Sequence, residues 1–131
     1  MRALSIPAAG AAPVVTEVPP PEPRPGESLI RVSRAGLNPL DLAIAAGRFY
    51  LPVPDPPYVA GAEVVGEVVG SSTLPAGARV WGIGLTGGLA ELATVPDAML
   101  APVPEGVGDE LAIALGIAGL VLGLVLMREL S

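Results

Sequence analysis

Short apolar runs separated by glycine and proline dominate residues 1–104 of the 131-residue chain. Runs of about four to eight apolar or alternating residues, bounded by turn-forming residues, are typical of β-strands. The closely spaced runs favour an all-β barrel or sandwich. The pattern predicts seven strands, which cover residues 1–6, 14–18, 28–35, 59–69, 78–83, 89–95 and 99–103.

A short helix is predicted between the third and fourth strands, over residues 39–46. Asn38 is a favoured N-cap residue, and Pro39 suits the first helical position because its fixed φ already matches a helix. Gly47 is expected to end this helix. The prolines of residues 19–27 and 51–57 predict extended surface connectors, since proline fixes φ and lacks a backbone donor.

The pattern changes at Asp109, where a long apolar helical stretch begins. Leu111 to Met127 is a run of seventeen residues without a polar side chain. We interpret this run as a helix that protein covers. The alternative is a short membrane anchor, because seventeen residues is close to the lower limit of about 17 for a span, and Gly119 and Gly123 have the spacing of a helix-packing face.

One domain boundary is therefore predicted, near residue 104. Residues 1–104 form the β-domain, and residues 105–131 form a helical segment. No internal repeat is evident in the sequence.

The residue types that are missing exclude several chemistries. The chain has no Cys, His, Lys or Gln, and Asn38 is its single Asn. A disulfide, a thiolate or imidazole metal site, a histidine-activated nucleophile and a lysine Schiff base are therefore excluded. Carboxylates alone could hold at most Mg²⁺ or Ca²⁺. We expect no metal.

The net charge of the chain argues against one class of partner, and its first residues indicate the compartment. Seven basic and thirteen acidic residues give a net charge of −6, which does not suit nucleic acid. The apolar run after Met1 and Arg2 is broken at Pro7 and is too short for a secretory signal. We expect a cytoplasmic protein.

Several segments together resemble one known family. In order along the chain they read MRAL, PPPEPRPGESLIRVSRAGLNPLDL, PYVAGAEVVGEVVG, GARVWG, GGLAELATVP and APVPEGV. From residue 1 to about residue 126, the chain resembles the GroES-like catalytic domain of the medium-chain dehydrogenase/reductases. It is most similar to their zinc-free quinone oxidoreductase (zeta-crystallin-like) branch.

The resemblance implies a fold and an activity. The expected fold is mainly β, a partly open GroES-like barrel with a short helix after the third strand and an apolar helical segment at the C-terminal end. The implied reaction is hydride transfer from NADPH to a quinone, an enone or another carbonyl compound. Zinc-dependent relatives carry a Cys where this chain has Asn38 and a His where it has Ala62, so the implied chemistry is zinc-free.

The resemblance also places a Rossmann nucleotide-binding domain after the helical segment, and we expect that domain to be absent from this chain. No G-x-G-x-x-G motif follows a strand and opens a helix here. We interpret the glycines between residues 82 and 88 as a hairpin loop rather than a phosphate site. NADPH binding is therefore expected only with a nucleotide-binding domain, and the chain alone is expected to be inactive.

Three polar residues are candidates for catalysis. Asn38 either caps the short helix or, as the resemblance implies for zinc-free members, faces the nicotinamide or the substrate carbonyl, and the two roles are compatible. Asp41 lies in the first helical turn, where a carboxylate stabilises the helix, and a chemical role is the alternative. The resemblance implies that Tyr50 lies near the mouth of the active site, where a phenol can donate a proton or stabilise an oxyanion; the alternative is that Tyr50 only packs under the proline loop.

Other residues are expected to contact the cofactor or to support the site. The resemblance implies cofactor contacts for Asn38, Gly119 and position 121, where Val121 replaces a threonine and its hydroxyl. Glu63 lies in an apolar strand and should hydrogen-bond a backbone group or pair with an arginine, with Arg79 as a possible partner.

Two rival functions stay open. One is a non-enzymatic GroES-like module, used for interaction or retained without activity, and the other is a tail-anchored membrane protein. Because the run from Leu111 to Met127 is apolar on every helical face, we also expect homo-oligomers packed through it.

Overall fold

Two antiparallel sheets form the body of the chain in the computed structural model, which describes residues 1–71 and 73–130, with the backbone alone described at positions 121 and 123. The strands are β1 (Arg2–Ile6), β2 (Val14–Glu17), β3 (Glu27–Gly36), β4 (Tyr58–Val59), β5 (Glu63–Gly70), β6 (Arg79–Ile83), β7 (Leu92–Pro96) and β8 (Leu100–Pro102). The helices are α1 (Pro39–Ala45), α2 (Asp109–Leu115) and α3 (Ile117–Leu130).

The sheets have the orders β2-β1-β4 and β7-β3-β5-β6-β8. A bridge between Ala3 and Ala90 joins the smaller sheet to the chain just before β7. The strands do not close into a barrel, so the predicted mainly β, partly open GroES-like architecture is confirmed.

The hydrophobic core lies on one face of the larger sheet and consists mostly of β-branched residues. Such residues suit strands because their stiff side chains pack well on a pleated surface. Burying each of them contributes about 1.5–3 kcal/mol relative to exposure. The buried cluster comprises Ile30, Val64, Val68, Val80 and Val95.

The predicted strand over residues 59–69 is in fact two strands. Gly61 has a φ of +105°, a conformation that favours glycine, and it interrupts the strand between β4 and β5. Its carbonyl accepts the Gly88 N–H at 2.9 Å, and the Ala60 carbonyl accepts the Leu89 N–H at 2.8 Å. Residues 89–91 of the strand predicted over 89–95 lie outside β7, which begins at Leu92.

The predicted short helix is confirmed as α1. Asn38 occupies the N-cap with an extended backbone, and Pro39 takes the first helical position. Gly47 follows with a φ of +71° and donates its N–H to the Ile44 carbonyl at 3.0 Å, which ends the helix.

The helical stretch after Asp109 is two helices, which meet at Gly116. Helix α2 packs on β3 and β5, whereas α3 is exposed along most of its described length. In the described part of the chain, neither helix alone is long and apolar enough to cross a membrane. The two together meet that length and composition but are bent by 42°.

Candidate functional site

The carboxylate of Glu63, at the start of β5, is the centre of a buried polar cluster. The residue is only 2% exposed. Its Oε2 accepts a hydrogen bond from Asn38 Nδ2 at 2.8 Å. Its Oε1 accepts two more, from Trp81 Nε1 and from the Ile117 backbone N–H, each at 2.8 Å. These three donors offset the cost of removing a carboxylate from water.

The Glu63 cluster joins four parts of the fold. Asn38 precedes α1, Trp81 lies in the middle of β6, and Ile117 is the first residue of α3. The Ile117 N–H is one of the amides that a helix leaves without a partner at its first turn. Glu63, at the start of β5, therefore caps the N-terminal end of α3.

Two glycines leave the space that this carboxylate needs. A Cβ added at Gly36 would lie 2.6 Å from Glu63 Oε2. A Cβ added at Gly116 would overlap both Glu63 Oε1 and Trp81 Nε1. Sequence reasoning missed both glycines as parts of the site, although a glycine inside an apolar helical run is a recognisable signal of a break or a close approach.

Asn38 is half-buried, and its Nδ2 donates to Glu63 Oε2. Asn38 and Asp41 also form a capping box at the start of α1, in which Asp41 Oδ2 accepts the Asn38 N–H at 2.7 Å. Asp41 Oδ1 accepts the Ala62 N–H at 2.9 Å, and the residue is 8% exposed. Asp41 therefore ties the start of α1 to the loop before β5, and its proposed chemical role stays a prediction.

Tyr50 lies apart from this cluster. It is 86% exposed, in the loop after α1, and its ring centroid is 5.0 Å from that of Phe49. In the described part of the chain, no hydrogen bond connects Tyr50 to Asn38 or Asp41. The structure thus does not bring Tyr50 together with the other two candidates.

The structure describes in full only one of the two cofactor-contact candidates in α3. Gly119 is described, and a Cβ added there would make an ordinary contact, 3.4 Å from Leu115 Cβ. The side chain of Val121 lies outside the described residues. Their predicted cofactor contacts stay predictions.

The pairing of Glu63 with Arg79 was wrong. Arg79 instead reaches toward α2, where its Nε donates to Asp109 Oδ1 at 3.1 Å and its Nη2 donates to the Val107 carbonyl at 2.8 Å. Glu63 pairs with Ile83 across β5 and β6, whereas Arg79 pairs with Glu67 at the other end of the same two strands. The register of these antiparallel strands therefore holds the Glu63 and Arg79 side chains apart.

The Asp109 carboxylate at the start of α2 is also held by Ser33, whose Oγ donates to Oδ2 at 2.6 Å. The Ser33 hydroxyl, together with the Arg79 guanidinium, lowers the pKa of Asp109 below its usual range. A second ion pair, between Arg34 and Glu110, docks the same helical turn. These contacts fix α2 on the sheet.

Tyr58, in β4, has a buried hydroxyl without a hydrogen-bond partner among the described residues. Burial, together with the charge of Asp41, raises the pKa of this phenol. Tyr58 therefore stays protonated at neutral pH. It also lines a cavity of about 310 Å³ with Pro57, Val59 and Leu92.

The glycine loop between β6 and β7 is confirmed as a loop that opens no helix. The backbone N–H groups of three of its glycines are already used within the fold. The Gly84 N–H bonds to the Ala62 carbonyl at 2.8 Å, the Gly87 N–H to the Val59 carbonyl at 2.7 Å, and the Gly88 N–H to the Gly61 carbonyl at 2.9 Å. These three amides are therefore not available to cradle the pyrophosphate of a dinucleotide.

The donor set of the described residues does not suit a metal ion. No group of three or more His, Cys, Asp or Glu side chains is placed to bind one in residues 1–71 and 73–130. Beside the Glu63 cluster lies a cleft of about 250 Å³, lined by Trp81, Val103, Ala112, Leu115 and Gly116 among others. The cleft is therefore lined by an indole and apolar groups.

The chain matches a protein-family model, several curated proteins and solved structures. The family model described as the alcohol dehydrogenase GroES-like domain matches residues 24–105. A trans-enoyl reductase of Fusarium mangiferae is 31% identical over 98% of this chain and 34% of its own length. The quinone oxidoreductase of Mus musculus is 36% identical over 78% of this chain and 32% of its own length.

Solved structures match the fold as well. The quinone oxidoreductase from Thermus thermophilus, whose structures include a complex with NADPH, superposes with a TM-score of 0.81 at 34% identity. That match covers 98% of this chain and 41% of the Thermus chain. The chain thus spans about a third of the length of the curated relatives described above.

Proposed function

Because the chain belongs to the family of alcohol dehydrogenase GroES-like domains, we propose that it is the catalytic-domain portion of a zinc-independent oxidoreductase. The proposed reaction transfers hydride from NADPH to a quinone, an enone or another carbonyl substrate. The family likeness to quinone oxidoreductases and to an enoyl reductase supports an NAD(P)H-dependent oxidoreductase of this general kind.

The observation that carries the proposal is the Asn38 side chain, held by Glu63 at the junction of β3 and α1. The resemblance places a zinc-binding Cys of the zinc-dependent relatives at this position. Here the position holds an uncharged amide, and the second ligand position holds Ala62. An amide orients a ligand by hydrogen bonds and needs no metal to do so.

When bound, NADPH supplies the hydride, which is the difficult part of the chemistry. The residues of this chain then bind and orient the nicotinamide and the substrate. Asn38 fixes the position of the reacting groups at the edge of the buried cluster. Tyr50, which is 86% exposed, would act as a proton donor only when its loop covers a bound ligand.

The experiment joins this chain to the remaining part of the Thermus thermophilus quinone oxidoreductase, at the end of the aligned region. The hybrid is expected to oxidise NADPH in the presence of a quinone or an enone, measured as loss of NADPH absorbance. The unfused chain is the control and should show no turnover. A folded hybrid that binds NADPH and reduces no quinone, enone or other carbonyl compound would contradict the proposal.

Two variants of the same hybrid test the site. Asn38→Ala and Tyr50→Phe should each lower kcat by about tenfold or more, the usual scale of a lost orienting or proton-donating group. Tyr50→Phe should leave the unfolding temperature unchanged, because the hydroxyl is in solvent. Wild-type turnover in both variants would show that the site lies elsewhere.

A non-enzymatic interaction module is the second candidate, and the exposed leucines of α3 favour it. Leu120, Leu122 and Leu124 are 58%, 60% and 61% exposed. An apolar helix with this exposure is suited to contact another protein surface. An inactive hybrid, combined with a stable self-associated chain, would favour this candidate.

A further inference from the structure

The proline-rich segment of residues 18–25 lies on the surface and has no part in the cluster around Glu63. It reads VPPPEPRP, with five prolines among eight residues. Proline fixes φ at about −65°, and the helical region is disfavoured for the residue that precedes a proline. Every residue of the segment is a proline or directly precedes one. The sequence therefore restricts the segment to an extended conformation of the polyproline II type.

The structure agrees, and it turns one side of the segment toward the protein. Residues 18–24 belong to no helix or strand. A polyproline II helix has three residues per turn, so positions three apart lie on the same ridge. Val18 and Pro21 are half-buried, and Pro21 lines two clefts of about 310 and 540 Å³. Pro20 and Pro23 are both exposed and share an outward ridge.

Both ends of the segment are anchored to the fold. The Val18 N–H donates to the Met1 carbonyl at 2.9 Å, and the Met1 amino group donates to the Val18 carbonyl at 2.8 Å. At the other end, the Arg24 N–H donates to Glu27 Oε1 at 2.9 Å. Between these ends Glu22 has the only backbone N–H, because the other residues are prolines. A segment held in this way loses little conformational freedom when it binds a partner.

We propose that residues 19–25 are a docking segment for a partner protein whose surface has an aromatic-lined groove. Rigid polyproline II segments with the pattern P-x-x-P bind such grooves, and Pro20 with Pro23 supplies that pattern on the exposed ridge. The ridge that carries Pro21 rests on the protein, so docking requires no local unfolding. This inference is independent of the proposed oxidoreductase activity.

Arg24 gives the docking segment a charge that a partner can recognise. Its side chain is exposed, and within the described part of the chain its guanidinium forms no hydrogen bond or ion pair. A carboxylate beside the aromatic groove would pair with it, since a guanidinium binds carboxylates by two parallel hydrogen bonds. The partner is therefore a groove that is aromatic along its length and acidic at one end.

The test titrates the ¹⁵N-labelled 131-residue chain with three purified probes, an SH3 domain, a WW domain and an EVH1 domain. Each probe has an aromatic-lined groove for proline-rich segments. The backbone amide signal of Glu22 is the reporter, because it is the only such signal between Val18 and Arg24. At least one probe should shift this signal to saturation, with a dissociation constant of about 100 μM or lower. No saturable shift with any probe at ~1 mM would overturn the proposal.

Pro20→Ala combined with Pro23→Ala removes the outward ridge and should weaken binding by about tenfold or more. Both prolines are exposed, so the fold should persist, and an unchanged indole signal of Trp81 checks this. Pro52→Ala combined with Pro104→Ala is the matched control, because these two exposed prolines lie outside the docking segment. Equal affinity of the two double variants for the probe would overturn the proposal.

Arg24→Glu tests the charge without removing a proline, and it keeps the test decisive if the first double variant fails to fold. It should weaken binding by about tenfold at low salt and by less at high salt, because salt screens exposed charges. Arg48→Glu, at an exposed arginine after α1, is its control. Wild-type affinity of Arg24→Glu at low salt would contradict the charge pairing. A Glu22 signal that shifts with the concentration of the chain alone would identify a second copy as the occupant and overturn the proposal.

Discussion

At the scale of single residues, the site depends on positions where a side chain must be missing. Glu63 is buried and accepts three hydrogen bonds, so any atom that enters its surroundings displaces a bonded carboxylate. Gly116 is the tightest of these positions, because an added Cβ would overlap both Glu63 Oε1 and Trp81 Nε1. A glycine is therefore required at position 116 because Glu63 and Trp81 occupy the space that a side chain would need.

Gly116→Ala should therefore lower the free energy of unfolding by about 3 kcal/mol, through overpacking and loss of the Glu63 hydrogen bonds. Urea unfolding, followed by the fluorescence of Trp81, measures the effect. Gly119→Ala is the matched control, since its Cβ would lie 3.4 Å from Leu115 Cβ, an ordinary contact within the helical segment. That control should be neutral or up to about 1 kcal/mol more stable, and equal losses in both variants would contradict the argument.

At the scale of elements, α2 is attached to the sheet largely by polar contacts at its first turn. Arg79 and Ser33 bond to Asp109, and Arg34 pairs with Glu110. The negative side chains also lie where a helix favours them, at its N-terminal end. Docking of α2 in turn places Gly116 and the start of α3 against Glu63.

This attachment should weaken in acid. The pKa of Asp109 is lowered, first by the Ser33 hydroxyl and then by Arg79, from an ordinary value of 3.8. A carboxylate whose pKa is lowered by folding contributes stability above its unfolded value, and that stability is lost as the pH falls through the folded value. Loss of the contribution should therefore begin below about pH 4.

Ser33→Ala should move this acid transition to higher pH, because it removes the largest cause of the lowered pKa. Trp81 fluorescence across an acid titration measures the shift, since Trp81 contacts Glu63 beside the end of α2. Glu105→Gln, which alters an exposed carboxylate in the turn before α2, is the control and should not move the transition. An identical titration of the wild type and Ser33→Ala would count against the role of the hydroxyl.

At the scale of the whole molecule, the glycines at positions 84, 87 and 88 offer no free backbone N–H to a pyrophosphate. The glycine amides that might serve are bonded to Val59, Gly61 and Ala62. A dinucleotide would therefore have to gain most of its binding energy from elsewhere.

The 131-residue chain should accordingly bind NADPH only weakly. Calorimetric titration is expected to give a dissociation constant well above ~1 μM, because contacts to the nicotinamide end alone supply little affinity. The hybrid with the Thermus oxidoreductase is the positive control. A dissociation constant of ~1 μM or lower for the chain by itself would refute this prediction.

The exposed helical end of the molecule predicts self-association. Leucines of α3 face solvent, and Leu130 near its end is 88% exposed. Leu115, the last residue of α2, is 59% exposed. Covering even ~400 Å² of such surface is worth about 10 kcal/mol at ~25 cal/mol per Å². We therefore expect a dimer or larger assembly packed through residues 111–127.

Sedimentation velocity at tens of micromolar, without detergent, measures this assembly. Replacing Leu122 and Leu126 by Glu should give a monomer, while Leu37→Glu, at an exposed leucine beside α1, is the control. A monodisperse wild-type monomer in plain buffer would refute the prediction. A protein that becomes monodisperse only with detergent would favour the membrane alternative over self-association.

The sequence by itself determined most of the local structure, and it excluded several kinds of chemistry. Apolar runs and their glycine and proline boundaries located most strands within a few residues, and Asn38 with Pro39 located α1. The absence of Cys and His excluded sites built on thiolate or imidazole ligands. These features succeed because strand periodicity, helix capping and residue chemistry depend on neighbours along the chain.

Only the tertiary structure decided which residues meet. The donors to Glu63 come from positions 38, 81 and 117, and the expected partner Arg79 binds Asp109 instead. A buried charge must find donors within hydrogen-bond distance, and strand register decides which side chains lie there. The break at Gly116 lies beside the same carboxylate, because Glu63, fifty-three residues earlier in the chain, accepts the N–H of Ile117, the residue after the break.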